Sequence, residues 1–182
     1  MIKSKNIDSD VKHRKTGQMV GLEFRQIRDF SSGTLYRLLA DAYSFDERCL
    51  ELWEADWKEF DNFFYGNLSI ADTCGFITIL DGEPIGMASW DPRKLPEYVE
   101  IGHNCIITKY KGNRYGKRQL QEAINRIKDY NGIKKIIVGT NSNLVAPRNY
   151  ESVGFQLRQT RSNTTETAFT GDYLAYEMDI VV

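Results

Sequence analysis

The sequence predicts a single α/β domain, a central mixed sheet of six to seven strands flanked by about four helices. Three observations lead to this class. Short β-rich runs lie in the middle of the chain, two of them joined by Asp81-Gly82, a strong hairpin signal. After them, strand and helix patterns alternate, as β-α units do. The chain has 182 residues, 41% apolar and 27% charged, enough to bury a core without disulfides or a structural metal.

In chain order, the first 18 residues are polar and lack periodicity, with Lys3, Lys5, Lys12, Arg14 and Lys15 among them. Residues 1–18 are therefore expected to form a flexible extension and residues 19–182 the domain, with Met19 a candidate natural start. Val20 to Arg28 reads as a strand. Ser31 and Ser32 are cap candidates for a helix carrying Leu35, Leu38, Leu39 and Ala42. Asp46 opens a second helix whose stripe is Leu50, Trp53, Trp57, Phe60 and Phe64, with Glu47, Glu51, Glu54, Asp56, Glu59 and Asp61 on the opposite face. Gly66-Asn67 ends it. Strands follow at Gly75–Leu80, Pro84–Trp90 and Tyr98–Thr108. A helix from Arg114 to Tyr130 buries Leu120, Ala123, Ile124 and Ile127, and Asn131-Gly132 stops it. Ile133–Thr140 is a strand. Asn143–Val153 is a short helix with Pro147 in its first turn, the position where proline is tolerated. Phe155–Arg161 and Tyr173–Val182 complete the sheet, with Gly171-Asp172 turning into the last strand.

Composition removes several function classes. Lys plus Arg total 24 and Asp plus Glu 25, so no global charge favours nucleic acid. Cys49, Cys74 and Cys105 are widely spaced, and His13 and His103 are the only histidines, too few for a zinc site. These thiols read as reduced and partly buried. The chain contains no apolar run of membrane-spanning length and no secretory h-region, so a cytoplasmic protein with no membrane partner is expected.

The chemistry concentrates in Lys109 to Arg118, between a strand and a helix. Five cations (Lys109, Lys111, Arg114, Lys117 and Arg118) fall in ten residues. Basic side chains are unfavourable at a helix N-terminus, whose dipole is positive, unless an anion sits there. The unpaired N–H groups of the first turn then bind phosphate oxygens, and Gly112 and Gly116 let the backbone approach. A solvated basic turn is the alternative. A Walker A loop is excluded by spacing, and Arg118 stands where Ser or Thr is needed.

Lys111-Gly112-Asn113-Arg114-Tyr115-Gly116-Lys117 resembles the Q/R-x-x-G-x-G/A loop of GNAT-family N-acetyltransferases. It departs at Lys111, where Arg or Gln is usual, and at Arg114, where glycine is usual. A second segment, Asn143 to Phe155, is similar to the family's N-x-x-A-x-x-x-Y-x-x-x-G-F signature at every fixed position. The resemblance implies the GNAT acyl-CoA N-acyltransferase fold and acetyl-CoA as cosubstrate, with no metal. It implies cofactor contacts from Ile106, Ile107, Thr108, Lys111, Gly112, Asn113, Arg114, Tyr115, Gly116, Lys117, Asn143 and Tyr150. Tyr150 would protonate the leaving CoA thiolate, because a phenol is protonated at neutral pH and can donate. The alternative for Tyr150 is a buried aromatic bonded to backbone. Asn143 would cap its helix, bond the pantetheine arm, or both.

The attacking amine needs a proton acceptor. Some family members carry a glutamate base where this chain has Glu100, and His103 is the competing base. In a regular strand Glu100, Gly102, Asn104, Ile106 and Thr108 share one face, and Ile101, His103, Cys105 and Ile107 the other; a β-bulge would re-aim His103. Ordered water is the third option. Cys105 lacks a base partner that would make it a nucleophile. The acceptor is expected to be a primary amine of a small molecule or peptide. The acidic, aromatic helix from Glu47 to Asp61 is either a soluble amphipathic surface or a mouth for cationic amines. Trp90-Asp91-Pro92-Arg93 could also touch acceptor. Dimers are common in the family, so a homodimer is expected by analogy. A non-catalytic acyl-CoA-binding module and a nucleotide- or RNA-binding α/β protein are the competing functions; the latter lacks a broad basic patch and an aromatic RNA-binding strand.

Overall fold

The computed structural model describes residues 21–163 and 171–180; the expected extension over 1–18 and the candidate start at Met19 lie outside them. Seven strands form one sheet: β1 (Leu22–Arg25), β2 (Gly75–Leu80), β3 (Glu83–Asp91), β4 (Val99–Ile106), β5 (Lys135–Asn141), β6 (Gln156–Arg161) and β7 (Tyr173–Asp179). Their order is β1-β2-β3-β4-β5-β7-β6. All neighbours are antiparallel except β4 and β5, which run parallel. That one parallel pair needs a crossover, which the helix between the two strands supplies.

Five α-helices are described: α1 (Thr34–Ala42), α2 (Glu47–Gly66), α3 (Leu68–Cys74), α4 (Tyr115–Lys128) and α5 (Ala146–Ser152). The mixed α/β class stands as predicted, with one helix more than expected. The addition is α3, which follows α2 through Asn67, the C-cap of one helix and the N-cap of the next. The first strand is shorter than Val20–Arg28, because the chain turns into a 3₁₀ helix at Ile27–Asp29 and buries Ile27. Asp81 (φ 51°) and Gly82 (φ 84°) both take the left-handed backbone that a tight hairpin turn requires.

The sheet separates two cores. On one side, Leu120, Ala123, Ile124 and Ile127 of α4 and Tyr150 of α5 pack on Trp90, Val99, Ile101, Ile136 and Val138. On the other, α1, α2 and α3 pack Leu35, Leu39, Trp57 and Phe64 on Ile77, Met87 and Cys105. The α2 stripe is rotated from the expected one. Cys49 is fully buried while Leu50 is exposed, since the face of α2 against the sheet runs through Cys49, Trp57, Asp61 and Phe64.

Asp61 corrects the reading of an outward acidic face. It is buried, and its carboxylate accepts from Gly33 N (2.7 Å), Leu35 N (3.0 Å), Tyr36 N (3.2 Å) and Ser32 Oγ (3.1 Å). It therefore caps α1 from another helix. Neither Ser31 nor Ser32 is the cap residue, which is Gly33 with no side chain of its own to offer. Anionic oxygens on the first-turn N–H groups satisfy donors the helix cannot, and they complement the dipole.

Candidate active site

The site begins with a gap in the sheet. β4 and β5 pair only where Val99, Glu100 and Ile101 face Ile136, Ile137 and Val138, although both strands run on to Ile106 and Asn141. Beyond Ile101 they diverge, which leaves backbone groups on both inner edges open to an extended ligand.

β4 also bulges. Trp90 pairs with Ile101, but Ala88 pairs with Asn104, so one residue of β3 is spanned by two of β4, Gly102 and His103. The extra residue reverses the side-chain alternation. Val99 and Ile101 lie in the α4-side core, whereas Cys105 lies in the opposite one. The regular-strand assignment is thereby corrected. Glu100, alternating with Val99 and Ile101, shares the α1–α2 side with His103, whose ring packs on Phe60 of α2 at 4.5 Å. Asn104, bonded to Gln119 of α4, lies on the α4 side with Ile101. The two candidate bases thus face the same side of the sheet.

They differ in environment. Glu100 is exposed. Burial depresses His103 from 6.5 to about 4, so its imidazole is neutral at physiological pH and is a weak proton acceptor. The shift carries a stability consequence. The unfolded chain binds the His103 proton below 6.5, and the folded chain binds it only near 4, so His103 contributes stability that is complete above pH 6.5 and is lost as pH falls toward 4. In urea unfolding at pH 7 and pH 5, the wild type is expected to lose about 1–2 kcal/mol more than His103→Gln. Equal losses would show that the imidazole is freely solvated.

Tyr150 projects from α5, which starts at Ala146 with Pro147 in its first turn. The helix is shorter than Asn143–Val153, and its cap position is Val145, so Asn143 is not the capping residue. Asn143 instead precedes the helix, packed so closely on Gly171 that a Cβ there would lie 2.6 Å from the Asn143 amide nitrogen. The Tyr150 ring is held between Phe155 (5.7 Å) and Tyr176 (5.9 Å). Burial pushes its phenol up to about 12, an effect that the nearby Asn104 side chain offsets in part. Tyr150 is therefore protonated throughout the physiological range. Cys105 is buried and pushed up to about 12, so it holds its proton and is no nucleophile.

The basic loop leads into α4. Thr108–Tyr110 forms a 3₁₀ turn, and Thr108 is tied to Asp41 at the end of α1 through its N–H (2.6 Å) and hydroxyl (2.9 Å). Lys109 reaches Glu83 (3.4 Å), and Lys111 donates to the Ala42 carbonyl at the C-terminus of α1. These two cations are anchored in the protein, which leaves Arg114, Lys117 and Arg118 around the mouth of α4. Gly112 has φ 82°. Arg114 is the N-cap of α4 at φ 62°, and among the described residues no side chain caps the helix. A non-glycine residue in that left-handed well costs about 1 kcal/mol. Arg114 thus adopts the backbone that glycine would supply while placing a guanidinium at an uncapped helix N-terminus. Gly116 faces Ile106 and Asn149, and a Cβ would meet Asn149 Nδ2 at 3.4 Å. Ile106 ends β4, and Ile107 just beyond it donates its N–H to the Ile85 carbonyl of β3 (2.8 Å). Asn113 turns its amide back onto the loop carbonyls of Tyr110 (3.3 Å) and Lys111 (3.2 Å).

Two acceptor-side expectations change. Trp90 is buried in the α4-side core and donates to the Tyr130 hydroxyl at 3.2 Å, so it is turned away from the α1–α2 side. Glu54 is paired with Lys58 (2.7 Å) and accepts from the Tyr36 hydroxyl (2.9 Å), so its charge is largely spoken for. Sequence reasoning missed Gln119, fully buried beneath the bulge. Its position one turn before Ala123, on the apolar stripe of α4, was the available signal.

A divided sheet with an uncapped, cation-ringed helix N-terminus at one end of the gap and a buried phenol beside it defines an acyl-CoA-type transferase fold. The sequence profile of the Acetyltransferase (GNAT) family matches residues 33–155. The chain belongs to that family. Solved structures agree on the fold. The ribosomal-protein-S18-alanine N-acetyltransferase from Escherichia coli is 17% identical with a TM-score of 0.64, over 90% of this chain and 96% of that one. An acetyltransferase from Bacillus subtilis in complex with CoA is 16% identical with a TM-score of 0.59, over 89% and 99%. A Salmonella typhimurium protein with its cofactor acetyl-CoA is 14% identical with a TM-score of 0.63, over 87% and 93%. No curated protein matches the sequence.

Proposed function

We propose that this chain transfers the acetyl group of acetyl-CoA directly to a primary amine of a small molecule or peptide. The observation that carries the reading is the divergence of β4 and β5 beside the core that holds Tyr150, with the N-terminal turn of α4 against Ile106. The first-turn N–H groups of α4, with Arg114, Lys117 and Arg118, suit a pyrophosphate. The open edge of β4 from Asn104 to Ile106 suits the amide-bearing pantetheine arm, and Asn143 and Tyr150 flank its far end. A thioester carbonyl in the gap would find a backbone N–H donor on β4 for its developing negative charge. Glu100, on the α1–α2 side, takes the proton of the attacking amine directly or through water. Tyr150 gives its proton to the departing sulfur. No covalent enzyme intermediate and no metal are required.

The α1–α2 side offers an aromatic wall of Phe60, Trp53 and Tyr43 with the exposed carboxylates Glu47 and Glu51, which suits a cationic amine. Two neighbours in fold, the enzyme that acetylates an alanine of ribosomal protein S18 and the acetyl-CoA-bound Salmonella protein, support a peptide acceptor and the cosubstrate in turn. Among the described residues no helix is long and apolar enough to cross a membrane, which accords with a cytoplasmic site of action.

The test pairs binding with turnover. Acetyl-CoA at 100 times its Kd is expected to stabilise the chain by about 2.7 kcal/mol, seen as a raised Tm, and ATP is not. Thiol release from acetyl-CoA should then depend on an added amine from a panel of polyamines, aminoglycosides and lysine- or alanine-ended peptides. Binding without amine-dependent thiol release would make the chain an acyl-CoA-binding module. Stabilisation by ATP and not by acetyl-CoA would overturn the reading altogether.

A further inference from the structure

On the α1–α2 side the helices cover only part of the sheet. The core beneath them draws on β2, β3 and β4 and on no described residue of β5, β6 or β7. Ile137 and Gly139 of β5 lie on this uncovered half, because Ile136 and Val138 point into the α4-side core. Tyr173 and Ala175 of β7 lie there too, because Leu174 and Tyr176 point into that same core. Glu100 pairs in register with Ile137, so the uncovered face begins directly beside the proposed base.

Three residues build a surface on this face. Tyr173 pairs with Asn141, and its side chain leans diagonally back over β5 until its hydroxyl lies above Gly139. A Cβ on Gly139 would collide with that oxygen and with the ring behind it. Gly139 is not among the residues with positive φ, so its missing side chain makes room for the ring rather than for a turn. Arg161, the register partner of Tyr173 on β6, holds its guanidinium over the ring, 4.5 Å from the centroid. Neighbouring cations of these strands are already matched: Lys135 pairs with Glu177 (3.2 Å) and Arg158 with Asp179 (3.1 Å). Among the described residues no carboxylate pairs with Arg161. Stacking on an aromatic ring leaves the N–H fork of a guanidinium available to a planar anion.

The face thus has a carboxylate at one end, beside the gap, and a guanidinium at the other. Gly139 is two residues along β5 from Ile137 and one strand across from β4, which puts the Tyr173 hydroxyl about 8 Å from the Glu100 backbone. We propose that Arg161, seated on Tyr173 above Gly139, is a specificity residue, and that the acceptor is a primary amine bearing a carboxylate about 10 Å from its nitrogen. This rests on the proposed acetyl transfer and names the substrate class of that reaction. The amine end lies at Glu100 and the gap, and the carboxylate end meets Arg161. A short peptide and a linear ω-amino acid share this chemistry.

The test uses the full chain, with amine-dependent thiol release from acetyl-CoA as the rate. Acceptors come in matched pairs, trialanine with its C-terminal amide and 8-aminooctanoate with octylamine, the two acids spanning about 10 Å when extended. In the wild type, kcat/KM for the acid exceeds that for its uncharged-end partner about tenfold in at least one pair, and the pair that responds tells peptide from amino acid. Arg161→Gln brings that ratio to about one, through a raised KM for the acid. Arg161→Lys keeps part of the preference, because it keeps the charge and loses the planar fork. Calorimetric binding of acetyl-CoA by both variants stays within about twofold of wild type, which shows that they are folded. Equal rates within both pairs, turnover confined to amines without a carboxylate, or a preference that survives Arg161→Gln overturns the proposal and leaves acetyl transfer standing. No thiol release with any amine, from a chain that binds acetyl-CoA, overturns acetyl transfer and this proposal together.

Discussion

Tyr150→Phe is expected to lower kcat for acetyl transfer about a hundredfold while leaving KM for acetyl-CoA within about twofold, because a positioned general acid is worth at least that much in the chemical step alone. The substitution is well matched to the site. The ring sits in the α4-side core against Phe155 and Tyr176, and phenylalanine keeps those contacts. Only the hydroxyl is lost, at a stability cost of at most about 1 kcal/mol. Binding should persist, since the proposed pyrophosphate and pantetheine surfaces lie on α4 and β4. Steady-state kinetics with the best amine of the panel, alongside calorimetric binding of acetyl-CoA, separate the two effects. If kcat stays within about twofold, the sulfur takes its proton from water and Tyr150 is a core residue.

The second large effect concerns stability. Asp61→Ala removes one buried carboxylate that serves three backbone N–H groups and a hydroxyl at the start of α1. Each of those donors then lacks a partner, or admits water where α2 now packs. Loss of a helix cap costs about 1 kcal/mol, and each further bond to a charged acceptor adds to it. A total of about 3 kcal/mol is expected, or a fall in Tm of about 10 °C for a chain of this size. Asp61→Asn keeps the shape and one acceptor oxygen, and should recover about half. Chemical unfolding of the three proteins checks the order. A loss below about 1 kcal/mol for the alanine variant would mean that Gly33 and Ser32 already cap the helix unaided.

These two residues show opposite degrees of legibility. Tyr150 could be singled out from the chain alone, because its spacing from Asn143 and Gly154-Phe155 carries the pattern. Asp61 could not. Its charge and the surrounding acids place it on the solvent face of α2 by composition, and only the arrival of α1 beside it turns a surface acid into a buried cap. Gln119 carried only a weak signal, since a polar residue on an apolar stripe is ordinarily assigned to its edge. The face of β4 was misread from another cause. Strict alternation holds for a regular strand, and the extra residue at Gly102-His103 reverses it. The bulge brings His103 to the side of Glu100 and turns Asn104 beneath the sheet. Nothing local in Gly-His-Asn distinguishes a bulged strand from a straight one, because the register is set by pairing with β3.

By itself the sequence determined the α/β class, the hairpin at Asp81-Gly82, the strand–loop–helix passage from Tyr98 to Tyr130 and the buried stripe of α4. Each of these rests on interactions between residues close along the chain, or on a periodicity that such residues share. The tertiary structure alone decided where β4 and β5 part, which way His103 and Asn104 point, and that Asp61 and Gln119 are interior. Those outcomes depend on partners far off in sequence, with Asp61 meeting Gly33 and Gln119 meeting Thr78 and Asn104. A buried polar group is stable only where all its partners converge, and that convergence exists only once the sheet and its helices have come together.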